Sequence, residues 1–129
     1  MSWILVFIGG GAGSICRYLM ARHLNYSGQE YLIFPWGTFL ANLVSCFILG
    51  ILLYRQLNQH MVETSRLLFI TGFCGGFSTF STFVYELQMY MQRGQLKMGL
   101  TYLLASILLG LVAMAAGFKV SGVLAEMIR

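Results

Sequence analysis

The stretch GFCGGFSTFSTF, residues 72–83, lies in one of the most apolar parts of the chain and determines how the fold is interpreted. It places three glycines and four hydroxyl residues among phenylalanines. Glycine weakens a helix by about 1 kcal/mol relative to alanine. Irregular backbone at membrane depth is tolerated only where it is buried in protein or lines a cavity. We therefore expect a break near residues 72–78 of a membrane-spanning helix.

The composition of the whole chain indicates an integral membrane protein. Of 129 residues, 58% are hydrophobic and only 9% are charged, whereas a soluble domain carries roughly a quarter charged residues. Four apolar segments, each near the roughly 20 residues that span a bilayer, lie at about residues 3–20, 34–54, 67–91 and 98–118. The first lacks a basic leader and a cleavage site, so we interpret it as a retained span. The prediction is one all-α domain of four transmembrane helices over residues 1–129.

The basic residues lie near the ends of these segments, without a basic run that interleaves aromatics, so we do not expect nucleic-acid binding. Four spans put both termini on one side of the membrane. The termini and the 2–3 connection carry Arg55, Arg66, Lys119 and Arg129, and the opposite side carries Arg17, Arg22, Arg93 and Lys97. The positive-inside rule therefore gives no orientation. Either short loops obscure the signal, or the chain inserts both ways and forms an antiparallel homodimer. Residues 20–33 are a candidate interfacial stretch.

Two polar residues of the first two segments are candidates for a functional site. Asn42 lies in the middle of the second segment, where an amide must find partners. It is either a hydrogen-bonding link between helices or a donor to a passing anion. Arg17 lies late in the first segment, and either extends to the interface or forms a cationic vestibule. Gly9 and Gly13 form a G-x-x-x-G pair, which predicts close helix packing.

The second half of the opening stretch predicts a polar helix face. Hydroxyls recur with the spacing i, i+3, i+4 and i+7 at Ser78, Ser81, Thr82 and Tyr85. Phe80 and Phe83 form a neighbouring stripe, and aromatic edges carry the positive end of the ring quadrupole. Such edges favour an anion without offering a full charge that would trap it. The alternative is that the hydroxyls bond their own helix and the rings pack against lipid.

Among the remaining polar residues, one pair forms a second candidate polar face, and the others indicate no further site. Tyr102 and Ser106 share a face of the fourth segment that could meet these hydroxyls. Glu86 is near a helix end and is interpreted as a solvated or vestibular residue. The cysteines show no ligand spacing and are interpreted as small hydrophobic residues. Together the residues indicate a path for an anion or a small polar solute, and no arrangement that would make an enzyme.

Three motifs resemble the signatures of the Fluc (CrcB-type) fluoride channels. They are GGxxGSxxRY at residues 9–18, GTFLANxxxxFxxG at residues 37–50, and GFCGGFSTFSTF at residues 72–83. The resemblance covers three of the four helices in the right order, and the third motif is the most specific. Ser14, Ser45 and Ser78 depart from the residues that are common in the family. Of these, Ser45 bears on how closely the second helix packs.

The resemblance implies an antiparallel, dual-topology homodimer with two pores. These would conduct fluoride passively out of the cytoplasm, across the inner (plasma) membrane of a bacterium. Asn42 and the ring edges of Phe80 and Phe83 would line each pore, with the two rings facing different pores. The other implied pathway residues are Ser81, Thr82, Tyr102, Ser106 and the vestibular Arg17. A structural sodium ion is implied on the dimer axis, held by backbone carbonyls of Gly75 and Ser78.

Two other functions are weighed against the channel. A small dual-topology multidrug exporter requires an acidic residue deep in the membrane, but Glu30 and Glu63 lie in connections, and Glu86 and Glu126 lie near helix ends. A non-transporting structural subunit predicts that Asn42→Ala and Phe83→Ile alter assembly rather than flux. Sequence chemistry alone leaves the solute open, and the expectation of fluoride rests on the resemblance.

Overall fold

The computed structural model describes residues 1–24 and 34–127, and all regular structure in these ranges is helical. Two long helices come first: α1 over Ser2–Leu24 and α2 over Trp36–Leu57. Pro35 immediately precedes α2, where its missing N–H costs no helical hydrogen bond. The candidate interfacial stretch begins as the last turn of α1, and its remainder, residues 25–33, lies outside the described residues.

The third span, Glu63–Gln92, is built from several pieces. A short α3 (Glu63–Ser65) leads into a π-helix (Arg66–Cys74) and then into α4 (Gly75–Phe77). Ser78 and Thr79 have extended backbone, and α5 follows over Phe80–Gln92. The glycines of the opening stretch are therefore helical, and the extended residues come directly after them.

A tight turn joins α5 to α6 (Leu96–Met127), which is the longest helix described. Gly94 has φ of 69°, and the amide of Gln95 donates to the carbonyl of Tyr90 at 2.9 Å. This hydrogen bond and the positive φ define a Schellman motif, which ends a helix and satisfies its last carbonyls. It directs α6 back along α5, so that the two helices run antiparallel.

Glycines allow the helices to approach closely at two contacts. On α1, a Cβ added at Gly9 or at Gly13 would collide with a backbone carbonyl of the π-helix, and the one at Gly13 would also lie 2.8 Å from the amide nitrogen of Phe77. Along the α2–α6 contact, Gly50 and Gly117 each face the backbone of the other helix. The close helix packing predicted from the G-x-x-x-G spacing in α1 is therefore confirmed, because the two glycines let two backbones approach closely.

All four long helical segments, with the third taken from Glu63 to Gln92, are long and apolar enough to cross a membrane. Their surfaces expose many large apolar side chains, including Phe7 at 77% and Leu111 at 62% exposed. The core is small and aromatic, with Tyr102 fully buried among Phe39, Phe83 and Tyr90. The chain is a multi-pass membrane protein, because exposing so much apolar surface to water would be energetically unfavourable.

Candidate functional site

The extended residues of the third span are bound by the amide of Asn42. Asn42 Nδ2 donates to the carbonyl oxygen of Thr79 at 3.2 Å, and the Thr79 amide donates to Asn42 Oδ1 at 2.8 Å. A side-chain amide has one acceptor and two donor hydrogens, so it can satisfy both backbone groups of an extended residue. Asn42 therefore links α2 to the third span, and its second amide hydrogen has no acceptor among the described residues.

Thr79 also starts α5, a role that the sequence analysis missed. Its Oγ1 accepts a hydrogen bond from the amide of Thr82 at 3.2 Å. It also donates to the Thr82 hydroxyl at 3.1 Å. Threonine is among the preferred N-cap residues because its oxygen satisfies an amide of the first turn. The sequence did contain a signal for this N-cap, namely a threonine immediately before the point where the helix resumes.

These hydrogen bonds engage two backbone amides that would otherwise donate to the carbonyls of Gly75 and Ser78. In a continuous helix, the Thr79 amide would pair with the Gly75 carbonyl, and the Thr82 amide with the Ser78 carbonyl. In the structure those amides donate instead to Asn42 and to the Thr79 hydroxyl. The carbonyls of Gly75 and Ser78 thereby lose their regular helical donors and become available to other ligands.

The neighbouring carbonyls are held by side chains from α1 and α2. Arg17 Nε donates to the carbonyl of Gly76 at 3.2 Å, and Ser14 Oγ contacts the same oxygen at 3.4 Å. The carbonyl of Cys74 accepts from Ser78 Oγ at 2.8 Å and from Ser45 Oγ at 3.2 Å. Arg17 therefore reaches a backbone group of the third span rather than only extending toward the interface.

Phe80 and Phe83 are three residues apart in α5 but have opposite environments. The Phe80 side chain is 78% exposed, whereas Phe83 is 8% exposed. Phe83 packs on Tyr102 with ring centroids 5.0 Å apart, and the centroids of Phe80 and Phe83 are 6.3 Å apart. One ring therefore lies inside the helical bundle and the other on its surface.

Glu86, interpreted from sequence as a solvated or vestibular residue, is half-buried and hydrogen-bonded rather than solvated. Thr38 Oγ1 donates to its Oε1 at 2.6 Å, and the Tyr102 hydroxyl donates to its Oε2 at 2.7 Å. The carboxyl group is thus bound from α2 and α6 together. Its helix-end position in the sequence was misleading, because partners on two other helices cannot be inferred from local spacing.

The other predicted residues fall into two groups. Thr82 is half-buried and bonded to Thr79, while Ser81 is exposed on the surface of α5. Ser106 lies inside the bundle, one turn after Tyr102, and its hydroxyl is enclosed without a hydrogen-bond partner among the described residues. The structure therefore gathers Asn42, Phe83, Thr82 and Tyr102 inside the bundle, and leaves Phe80 and Ser81 on its outer face.

Within residues 1–24 and 34–127, no three histidine, cysteine or acidic side chains come together as a metal-binding group. The three cysteines are free thiols. Backbone carbonyl oxygens are hard ligands that suit alkali and alkaline-earth ions. The carbonyls of Gly75 and Ser78 fit that description.

The fold and the site define a polytopic helical membrane protein in which amide, hydroxyl and aromatic groups surround an interrupted span. A family model described as "CrcB-like protein, Camphor Resistance (CrcB)" matches residues 4–118. The chain belongs to this CrcB family.

Three curated relatives carry the name "Fluoride-specific ion channel FluC". The relative from Phocaeicola vulgatus is 36% identical over 93% of this chain and 98% of its own length. The relative from Desulfotalea psychrophila is 40% identical over 94% of this chain and 92% of its own length. A third, from Rhizobium leguminosarum bv. trifolii, is 41% identical over 95% of this chain and 97% of its own length.

Proposed function

We propose that the chain is a fluoride-selective ion channel that lets fluoride leave the cytoplasm passively. The relatives named as fluoride-specific channels align with nearly the whole chain. The structural observation that carries the proposal is the set of donors inside the membrane, with Asn42 at its centre. Fluoride is a compact, strongly hydrated anion, and only closely spaced hydrogen-bond donors can replace its water. The function is transport and involves no catalysed reaction.

The proposed path assigns a role to each polar group. Arg17 attracts anions at the vestibule, and the hydroxyls of Ser81 and Thr82 receive the ion or its remaining water. The free amide hydrogen of Asn42 donates to the ion at the narrow part. Tyr102 and Ser106 continue the path, where the unpartnered Ser106 hydroxyl suits a passing acceptor.

We further propose that two copies assemble antiparallel, with two pores per dimer. Phe80 is 78% exposed, and a Cβ added at Gly75 would have no neighbour within 4 Å. A second copy packed on this face would bury both residues. Phe80 of one copy would then approach the pore lined by Phe83 of the other, so each pore would use both subunits. The balance of four basic residues on each side agrees with dual topology in a bacterial inner (plasma) membrane.

A structural sodium ion fits the backbone of the interrupted span. The carbonyls of Gly75 and Ser78 lose their regular helical donors to the bonds of Asn42 and Thr79. We propose that these two oxygens hold the ion, together with the same pair from a second copy. Bound there, the ion would neutralise the exposed carbonyl dipoles and fix the two subunits against each other.

The test is anion efflux from liposomes that contain the purified protein. We expect fluoride to leave far faster than from protein-free liposomes once valinomycin lets potassium follow, while chloride stays inside. Chloride efflux without fluoride efflux would refute the proposal. Proton-coupled ethidium transport that is lost in Glu86→Gln would point instead to an exporter. If neither ion moves, and Asn42→Ala and Phe83→Ile change only assembly, the chain is a structural subunit.

A further inference from the structure

A second site lies at the far ends of α2 and α6, away from the proposed pore. A cavity of about 530 Å³ opens between them. Its polar lining includes Arg55 in the last turn of α2, Asn58 and His60 just after α2, and Ser121 and Glu126 near the end of α6. That volume is within the range of about 300–1,000 Å³ that is typical of small-molecule sites.

The end of α2 has a backbone motif that places His60 beside Arg55. The amide of His60 donates to the carbonyl of Arg55 at 2.9 Å, and the amide of Gln59 donates to that of Gln56 at 3.1 Å. Gln59 has φ of 57°, in the left-handed region. These features form a Schellman motif with glutamine at the position that usually holds glycine. The motif turns the chain back, so the side chains of Arg55 and His60 line one wall.

The other wall exists because α6 continues beyond its apolar segment. The sequence predicted a span ending near residue 118, but the helix runs on to Met127. Close packing on α2 accompanies this extension, since a Cβ added at Gly122 would lie 3.2 Å from the ring of Tyr54. Ser121 and Glu126 belong to the extension, which the proposed channel function does not use.

Of the polar side chains that line the cavity, Asn58 donates to the Tyr54 carbonyl at 2.9 Å, whereas three others bond to none of the residues that the structure describes. Ser121 is only 5% exposed, yet its hydroxyl bonds to none of the described residues. The side chains of Arg55 and Glu126 likewise form no ion pair within residues 1–24 and 34–127; the pair found there is Arg66–Glu63, at 3.9 Å. The Ser121 hydroxyl borders the cavity and can donate a hydrogen bond to a ligand there.

From the length of α2, we expect the cavity to lie at the level of the lipid headgroups. The 22 residues of α2 have a length of roughly 33 Å at 1.5 Å per residue, close to the hydrocarbon thickness of about 30 Å. Tyr54 and Arg55 are in its last turns, where interfacial aromatic and basic residues belong. Ile51 and Leu124 supply apolar lining beside the polar groups.

We propose that this cavity binds the headgroup of a phospholipid with a primary amine, such as phosphatidylethanolamine. The phosphate accepts hydrogen bonds from Arg55 and Ser121, with His60 alongside. The ammonium group donates to Glu126, and the acyl chains lie on the apolar side near Ile51 and Leu124. A choline headgroup cannot donate such a bond, and an anionic headgroup without an amine leaves Glu126 facing negative charge.

The experiment measures lipid retention by native mass spectrometry of the full chain, in detergent with equal amounts of phosphatidylethanolamine, phosphatidylcholine and phosphatidylglycerol. We expect phosphatidylethanolamine to be retained about tenfold over the other two, the ratio that one good charge-assisted hydrogen bond supplies. Arg55→Gln should reduce retention of all three lipids. Glu126→Gln should remove the preference for ethanolamine. The matched controls are Arg66→Gln and Glu63→Gln, which lie outside the cavity and should keep the wild-type pattern.

Other outcomes overturn the proposal. Equal retention of the ethanolamine and choline lipids, or a stronger preference for phosphatidylglycerol, would show that Glu126 does not select the ligand. Loss of the preference in Glu63→Gln as large as that in Glu126→Gln would show a nonspecific charge effect. Competition by millimolar inorganic phosphate alone would assign a simple anion site. Because retention does not depend on ion flux, failure here is separate from failure of the proposed channel function.

Discussion

Asn42→Ala is the substitution that most directly tests how the interrupted span is held. It removes the bond from Asn42 Nδ2 to the Thr79 carbonyl and the bond from the Thr79 amide to Asn42 Oδ1. A polar backbone group left unsatisfied inside a protein costs about 1–3 kcal/mol. Thr79 is half-buried, so the lower part of that range applies to each group. We expect the free energy of unfolding to fall by about 2–4 kcal/mol.

Ser45→Ala is the matched control, one turn further along α2. Ser45 Oγ also donates to the third span, at the carbonyl of Cys74. That carbonyl keeps two other donors, the amide and the hydroxyl of Ser78. The loss should therefore be only about 0.5–1.5 kcal/mol, the net value of one hydrogen bond.

The assay is unfolding of the purified protein in mixed micelles, followed by circular dichroism, with fluoride efflux measured on the same preparations. Equal destabilisation by Asn42→Ala and Ser45→Ala would refute the reasoning, because it would mean that the Thr79 backbone does not depend on Asn42. The comparison also decides how a loss of flux is interpreted. Flux lost without destabilisation would indicate that the amide serves the ion alone.

Two further substitutions test the packing of α1 and the binding of Glu86. Gly13→Ala drives a Cβ into the carbonyl oxygen of Phe73 and places it 2.8 Å from the amide nitrogen of Phe77, so it should cost about 1–3 kcal/mol or more in a denaturant titration. Gly11→Ala, where nothing lies within 4 Å, should be neutral or stabilising by up to about 1 kcal/mol; similar losses for both would contradict the close contact. Tyr102→Phe removes the 2.7 Å bond to Glu86 and should cost about 1–3 kcal/mol and lower fluoride flux. Unchanged stability and flux would show that this bond has no role.

The number and order of the helices could be predicted from sequence because a bilayer leaves few options. Every backbone group in hydrocarbon must be satisfied within the chain, so apolar runs of about 20 residues become helices. The end of α6 was harder to predict. Lys119 and Ser121 lower the hydropathy after Phe118, yet the helix continues to Met127 while packed on α2. Tertiary packing outweighs local composition there.

The interior of the third span shows a similar limit. The penalty of about 1 kcal/mol for each glycine was enough to suggest a break, but Gly72, Gly75 and Gly76 are helical. The close approach of α1 to this part of the span, and the bond from Arg17 to the Gly76 carbonyl, offset that penalty. The extended backbone falls at Ser78 and Thr79, where Asn42 offers a replacement partner.

The site was predictable where one residue type had few roles, and unpredictable where partners lay on other helices. An asparagine in the middle of a span had to meet a polar group, and Asn42 does. Which polar group it meets depends on the axial alignment of α2 with the third span. In this structure, that alignment places the Thr79 backbone beside Asn42. The same holds for Glu86, whose two donors come from α2 and α6. Local spacing contains no information about that alignment.

The central claim, passive fluoride conduction, is tested most directly by measuring whether fluoride efflux requires a counterion that carries compensating charge. Liposomes containing the protein are loaded with potassium fluoride and diluted into fluoride-free buffer, and a fluoride electrode records release. A passive channel moves net charge, so we predict little release until valinomycin lets potassium follow, and then rapid fluoride loss with chloride retained. Release that is indifferent to valinomycin and driven by a proton gradient, or equal release of chloride, would contradict the account.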